Sequence, residues 1–290
     1  MKWQLVKQRL DAYERLMRLD KPIGILLLLW PTLWALWLAG EGKPDFAVVL
    51  IFVTGTVLMR SAGCVINDVA DRNFDRHVER TKNRPLARGE VGVREALLLT
   101  AILSMLAFCL VLFLNRLTIL LSIAALALAS TYPFTKRFLA IPQAYLGIAF
   151  SFGIPMAYAA LTGNVPPEAW VLLAANLFWV IAYDTEYAMV DREDDLRIGI
   201  RSSAIWFGRF DIAAIMASYT AMLVLMGLIG IWNNLLWPYY AGLAIAFGII
   251  VYHYRLIRTR ERHACFRAFL HNTWVCAAIF LGITANNWLK

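Results

Sequence analysis

Half of the twenty acidic residues in this chain fall in two short windows. The first holds Asp68, Asp71, Asp75 and Glu79; the second holds Asp184, Glu186, Asp191, Glu193, Asp194 and Asp195. Asn67, Asp71 and Asp75 recur every four residues, as do Asp191 and Asp195, so on a helix each set stacks along one face. Carboxylates one turn apart repel each other unless a cation lies between them. Hard oxygen donors that need no His or Cys suit Mg²⁺, which takes one or two protein carboxylates and completes its shell with water and substrate phosphate. Two such clusters facing each other across a cavity form a site for a diphosphate held through bridging metals. The basic residues around them fit an anionic substrate: Arg72, Arg76, Arg80, Lys82, Arg84 and Arg88 in and after the first window, Lys136 and Arg137 further on, and Arg192, Arg197 and Arg201 around the second.

Arg60 stands apart from these. It interrupts the apolar run Val57-Leu58-Met59-Arg60-Ser61, and positions 60, 64, 67 and 71 share a helical face. Arg60 therefore points the same way as Asn67 and Asp71, two and three turns deeper. An ionisable residue inside a membrane span normally faces a cavity or a partner. A guanidinium recognises a carboxylate through two parallel hydrogen bonds, so a small carboxylate is the expected ligand beneath the diphosphate site.

The elements that carry these residues follow from composition. The 290 residues are 60% hydrophobic and only 17% charged, with mean hydropathy +0.60. A soluble domain is about 45–50% apolar and about 25% charged, so the chain reads as an all-α integral membrane protein. Disordered, coiled-coil and disulfide-scaffold classes are excluded. Nine apolar stretches approach the length needed to span a bilayer: Ile23–Leu38, Phe46–Ile66, Ala96–Leu114, Leu117–Tyr132, Ile141–Leu161, Trp170–Tyr183, Ile212–Trp232, Leu236–Tyr254 and Phe269–Trp288. They are continuous rather than alternating, which excludes a barrel. Residues 1–21 carry Trp3, Val6, Leu10, Tyr13 and Met17 at helical spacing among basic residues, the pattern of an interfacial amphipathic helix. With the N-terminus inside, 25 of the 28 Lys and Arg residues fall on the cytoplasmic side, leaving Lys43, Arg116 and Lys290 outside. This bias accounts for the net charge of +8 without nucleic acid as a partner. Cys64, Cys109, Cys265 and Cys276 form no CxxC pair and are expected to be buried thiols.

Both acidic windows then follow a span on the same face, four helices and 120 residues apart from Asp71 to Asp191. That offset predicts two four-helix halves plus one helix, in a single membrane-embedded domain spanning 1–290. Residues 67–94 and 184–211 are expected to be cytoplasmic cap loops.

The run Asn67-Asp68-Val69-Ala70-Asp71-Arg72-Asn73-Phe74-Asp75 resembles the NDxxDxxxD motif of intramembrane aromatic prenyltransferases, the UbiA superfamily. Asp191-Arg192-Glu193-Asp194-Asp195 is similar to its second motif, DxxxD. Asp20-Lys21-Pro22-Ile23-Gly24, Asn83-Arg84-Pro85-Leu86 and the stretch Tyr183–Val190 match as well, and the whole looks most like the bacterial 4-hydroxybenzoate polyprenyltransferases of ubiquinone synthesis. The resemblance covers nearly the whole chain. It implies nine transmembrane helices around a central cavity open sideways to lipid, in the bacterial inner membrane with the active site facing the cytoplasm. It implies Mg²⁺ at Asp71, Asp75, Asp191 and Asp195, diphosphate contacts from Arg80, Tyr132 and Lys136, and Arg60 and Asn67 near the aromatic acid. The substrates implied are a polyprenyl diphosphate and 4-hydroxybenzoate. Two other readings stay open at this point: another acceptor within the superfamily, such as homogentisate, a naphthoate or haem, and a membrane transporter of small carboxylates.

Overall fold

The computed structural model describes residues 2–73, 75–77, 81–135 and 137–289. Among these residues the chain is helical, with no strand. The order is α1 (Lys2–Met17), α2 (Ile23–Ala39), α3 (Phe46–Asp71), α4 (Val93–Val111), α5 (Arg116–Thr135), α6 (Pro142–Ser151), α7 (Gly153–Thr162), α8 (Pro167–Ile198), α9 (Ser203–Phe207), α10 (Asp211–Trp232), α11 (Trp237–Ile257) and α12 (Arg262–Trp288), with short 3₁₀ turns at Asp75–His77 and Gly208–Phe210.

Each of the nine apolar stretches coincides with a helix or, for residues 141–161, with the pair α6 and α7. That pair bends at Phe152 because Pro155 has no N–H to give the Ser151 carbonyl. Seven helical runs are long and apolar enough to cross a bilayer: α3, α4, α5, α6–α7, the run containing α10, α11 and α12; α2 is a shorter apolar helix. Local signals set the ends. The Asp45 carboxylate caps α3 by accepting from the Ala47 and Val48 N–H groups. Pro167 opens α8, and Gly199, at φ 72°, closes it.

The expectation of a loop over 184–211 is corrected here. α8 runs unbroken to Ile198, and α9 occupies Ser203–Phe207. At 1.5 Å per residue the 32 residues of α8 extend roughly 48 Å, longer than the hydrocarbon core of about 30 Å. The helix therefore carries the acidic motif out beyond the apolar layer instead of stopping at it.

The core lies between α2, α7, α8, α10, α11 and α12. Trp34, Trp179, Tyr183, Tyr219 and Tyr239 are fully buried there, with Trp179 edge-on to Tyr183 at 4.7 Å between ring centroids. α11 and α12 approach closely because a Cβ on Gly242 would stand 2.6 Å from the Ala278 carbonyl oxygen. α4 and α5 differ from this core. Few of their residues are buried, while Leu98, Met105, Leu106, Leu120 and Ile123 are exposed as on a lipid-facing surface. Cys109 on α4 is likewise exposed, contrary to the expectation of a buried thiol; Cys64, Cys265 and Cys276 are buried.

α1 turns Trp3, Val6 and Leu10 outward and packs Ala12 and Leu16 against Val65 and Val69 of α3. It thus presents an outward apolar stripe while bracing the helix that carries the first acidic motif.

Candidate active site

A cavity of about 970 Å³ lies among α2, α3, α4, α5, α6, α7, α8 and α12. α3 faces it with Arg60, Gly63, Cys64, Asn67 and Asp68; of the stripe expected from the sequence, positions 60, 64 and 67 line the cavity and Asp71 does not. α8 contributes Tyr183, Asp184 and Tyr187, and α5 contributes Tyr132. Most of the remaining wall is apolar, including Phe108 and Val111 of α4 and Phe150 and Met156 from α6 and α7.

Arg60 sits within this wall. Its Cζ lies 5.7 Å from the centroid of the Phe150 ring, and its Nε is buried with no hydrogen-bond partner. A guanidinium held against an aromatic face, with a donor left unsatisfied in an apolar wall, is arranged to receive an anion.

The end of the cavity near the last turns of α3 is built around Asp68, 1% exposed. Arg18 Nη2 donates to both of its carboxylate oxygens at 2.9 Å. Arg84 Nη1 donates at 2.9 Å to Asp68 Oδ1 and, at the same distance, to Asp75 Oδ2. One cation thereby bridges two acids of the first motif, and Thr81 fixes the same loop by donating to the Asp75 carbonyl at 2.9 Å. Arg18 follows α1 with φ 60°, a left-handed conformation uncommon outside glycine, and that turn carries its side chain back to Asp68. Asp71 is buried on the same helix, one turn beyond Asn67.

On α8, Asp191 and Asp195 continue the stripe begun by Asp184 and Tyr187 and are half-buried. The residues between them point elsewhere. Arg192 donates to Asp211 Oδ2 at 3.1 Å, and Arg260 donates to both Asp211 oxygens, at 2.6 Å for the shortest contact. That hydrogen bond pushes the Arg260 guanidinium pKa up. Arg262 reaches Glu193 at 2.9 Å and Asp194 at 3.6 Å. These contacts tie the exit of α8 to the start of α10 and to the α11–α12 connection.

Of the residues singled out in the sequence, Arg60, Asn67 and Tyr132 line the cavity. Asp71 and Asp75 lie at the end of α3 and just after it, and Asp191 and Asp195 near the end of α8. Arg80 and Lys136 lie outside the described residues. Arg18, Asp68, Arg84 and Asp184 belong to the site as well. The Asn-Asp pair at 67–68 was the available signal for Asp68, but its position 100° around the helix from Asn67 hid its partners.

Glu186, counted in the second acidic window, faces away from the cavity. It is fully buried and accepts from Tyr219 at 2.9 Å and from Asn272 at 2.8 Å; Asn272 accepts in turn from Trp179 at 2.9 Å, and His253 stands 3.3 Å from the Tyr219 hydroxyl. This network links α8, α10, α11 and α12 through polar groups inside the apolar core. Satisfied networks of this kind fix one packing of a bundle.

Among the described residues, no three His, Cys, Asp or Glu side chains converge as a ready-made metal cage. The donor set still fits Mg²⁺, since that ion needs only one or two carboxylates when a substrate phosphate and water supply the rest. All the candidate donors on both helices are oxygens.

Residues 28–280 match the UbiA prenyltransferase family. The chain is 63% identical, over all of its length and 98% of the relative's, to a 4-hydroxybenzoate octaprenyltransferase of Methylobacillus flagellatus. It is 68% identical to the protein of the same name from Nitrosospira multiformis, over 95% of each chain. Among solved structures, a UbiA homologue from Aeropyrum pernix K1 superposes with a TM-score of 0.79 at 26% identity, covering 91% of this chain and 97% of that one. A UbiA homologue from Archaeoglobus fulgidus bound to GPP and Mg²⁺ shares the fold, with a TM-score of 0.71 at 18% identity over 96% and 98% of the two chains. With cavity, paired acidic motifs and full-length relatives in agreement, this chain belongs to the UbiA prenyltransferase family, as a multi-pass membrane protein.

Proposed function

We propose that the chain transfers a polyprenyl group from a polyprenyl diphosphate to the ring carbon of 4-hydroxybenzoate ortho to its hydroxyl, releasing diphosphate, in ubiquinone biosynthesis. The relatives at 61–68% identity, all named 4-hydroxybenzoate octaprenyltransferase, support this acceptor. The observation that carries it is Arg60: a guanidinium set in a mostly apolar cavity, on the same face as Asn67 and Asp71 and below them.

In this reading Arg60 binds the carboxylate of the acceptor and Asn67 lies beside the ring. Together they hold the phenol end toward the donor. Positioning of two reactants is itself worth several orders of magnitude in rate. Asp71, Asp75, Asp191 and Asp195 would hold Mg²⁺, with Arg80, Tyr132 and Lys136 at the diphosphate. A divalent cation there supplies positive charge to the departing diphosphate. The C–O bond of the donor breaks, the allylic carbon bonds to the ring, and loss of the ring proton restores aromaticity. The apolar wall from α4 to α7 keeps water from the allylic cation. Arg84 keeps Asp68 and Asp75 from repelling each other before substrate arrives.

The lysine and arginine asymmetry supports nine crossings with the N-terminus and the acidic motifs on the cytoplasmic side of a bacterial inner membrane. Membranes containing the protein, given labelled 4-hydroxybenzoate and donors of several lengths, should form product with Mg²⁺ and none after chelation. Product formation that survives complete chelation would overturn the metal assignment. Turnover of homogentisate or a naphthoate in preference to 4-hydroxybenzoate would overturn the acceptor.

A further inference from the structure

Gly24 is the second residue of α2, within ordinary helical backbone. It is absent from the positions with positive φ, so its backbone has no need of glycine. In a helix glycine is the poorest residue after proline, and its presence here calls for another cause. A Cβ built on Gly24 would stand 2.5 Å from Arg60 Nη2, 2.7 Å from Nε and 3.0 Å from Cζ. All three nearest atoms are the guanidinium of Arg60. None is backbone, so a side chain at 24 would be accommodated by moving the far end of Arg60 and not by shifting a helix.

That guanidinium also lies over Phe150 of α6, and its buried Nε makes no hydrogen bond. Its place is therefore set by a ring and by the bare face of α2. We propose that the missing side chain at Gly24 is a specificity device: it leaves the berth in which the Arg60 guanidinium lies, and so sets the preference for a carboxylate-bearing acceptor over a neutral phenol of the same shape. The inference rests on the reading of Arg60 as the partner of the acceptor carboxylate. Gly24 is a positioning residue, acting through Arg60 without touching the reacting atoms.

The test compares kcat/KM for 4-hydroxybenzoate with kcat/KM for 4-hydroxybenzamide, its uncharged counterpart, in Gly24→Ala, Arg60→Ala and the double variant. A general packing defect lowers both values together and leaves their ratio unchanged. Displacement of the guanidinium lowers the ratio, by about tenfold or more if one hydrogen bond to the charged group is lost, with the donor KM unchanged. The double variant should then match Arg60→Ala alone, because there is no guanidinium left to displace. A ratio that collapses in Arg60→Ala but not in Gly24→Ala would overturn the role of Gly24 and leave that of Arg60 standing. A ratio unaffected by Arg60→Ala would overturn both. Additive losses in the double variant would place the effect of Gly24 elsewhere in the bundle and overturn the proposal.

Discussion

Replacing Asp68 with alanine should loosen α1 from α3. Asp68 receives Arg18 on both oxygens and Arg84 on one, all at 2.9 Å, while only 1% of its surface is exposed. Removing one partner of a buried ion pair costs about 3–5 kcal/mol, because the remaining charge loses its compensation. Here two guanidinium groups would be left side by side. Arg84 keeps Asp75 at 2.9 Å, and the Arg18 side chain is already 20% exposed and able to turn toward water. These two reliefs place the cost near the lower end, about 3 kcal/mol. α1 is also held by Ala12 and Leu16 and by bonds from Arg9, Tyr13 and Arg15 to Glu90 and Glu95, so that loss should appear as easier opening of the end of α1 next to Arg18. At about 1.4 kcal/mol per decade, opening should rise roughly 150-fold. Amide hydrogen exchange of residues 12–18 in detergent or nanodiscs reads this directly, and exchange in α10 and α12 provides the unaffected control. A rise below about fivefold, about 1 kcal/mol, would refute the view that the Arg18–Asp68–Arg84 chain secures α1.

Asp71→Ala and Asp191→Ala should each nearly abolish turnover while the chain still inserts into membranes. Activity within about threefold of the unmodified protein, ~0.65 kcal/mol in barrier, would remove these carboxylates from the site. Glu186→Ala should leave one hydrogen of the Asn272 amide short of an acceptor, at about 1–3 kcal/mol for a buried group, while the Tyr219 hydroxyl keeps Asn272 Oδ1 at 2.9 Å. The midpoint of thermal unfolding should fall while KM for both substrates holds, and an unchanged midpoint would refute a structural role for the network.

The spans were legible because a bilayer asks only for length and apolarity, and all nine stretches lie on helices. Less legible was α8. Its apolar half ends near Tyr183, yet the helix continues to Ile198 because Glu193, Asp194 and Arg192 find ion-pair partners on neighbouring elements. Hydropathy cannot register a helix that leaves the membrane intact. On the site side, Arg60 and Asn67 were legible from a four-residue rhythm on α3. Asp68 was visible as one acid of the window, but its pairing was not, since Arg18 and Arg84 come from a turn after α1 and a loop sixteen residues later. The Glu186 network was hidden for the same reason. Trp179, Tyr219, His253 and Asn272 are single polar residues on four separate helices, and nothing in their sequence neighbourhoods joins them.

The thin interior packing of α4 and α5 has a consequence for substrate traffic. Both helices line the cavity, with Ser104, Ala107 and Phe108 from one and Ala125, Leu126 and Ala129 from the other, yet each buries few residues against the rest of the bundle. Their outer faces carry exposed apolar side chains suited to contact with acyl chains. The width of that wall is therefore governed partly by the lateral pressure of the bilayer. A hydrocarbon tail threading between these helices displaces lipid of nearly equal cohesion, so it meets little resistance from the protein's own core. Entry and departure of so greasy a molecule are thereby matters of two-dimensional diffusion, and surface density in the leaflet, in place of bulk molarity, is the variable that sets how often the cavity is filled.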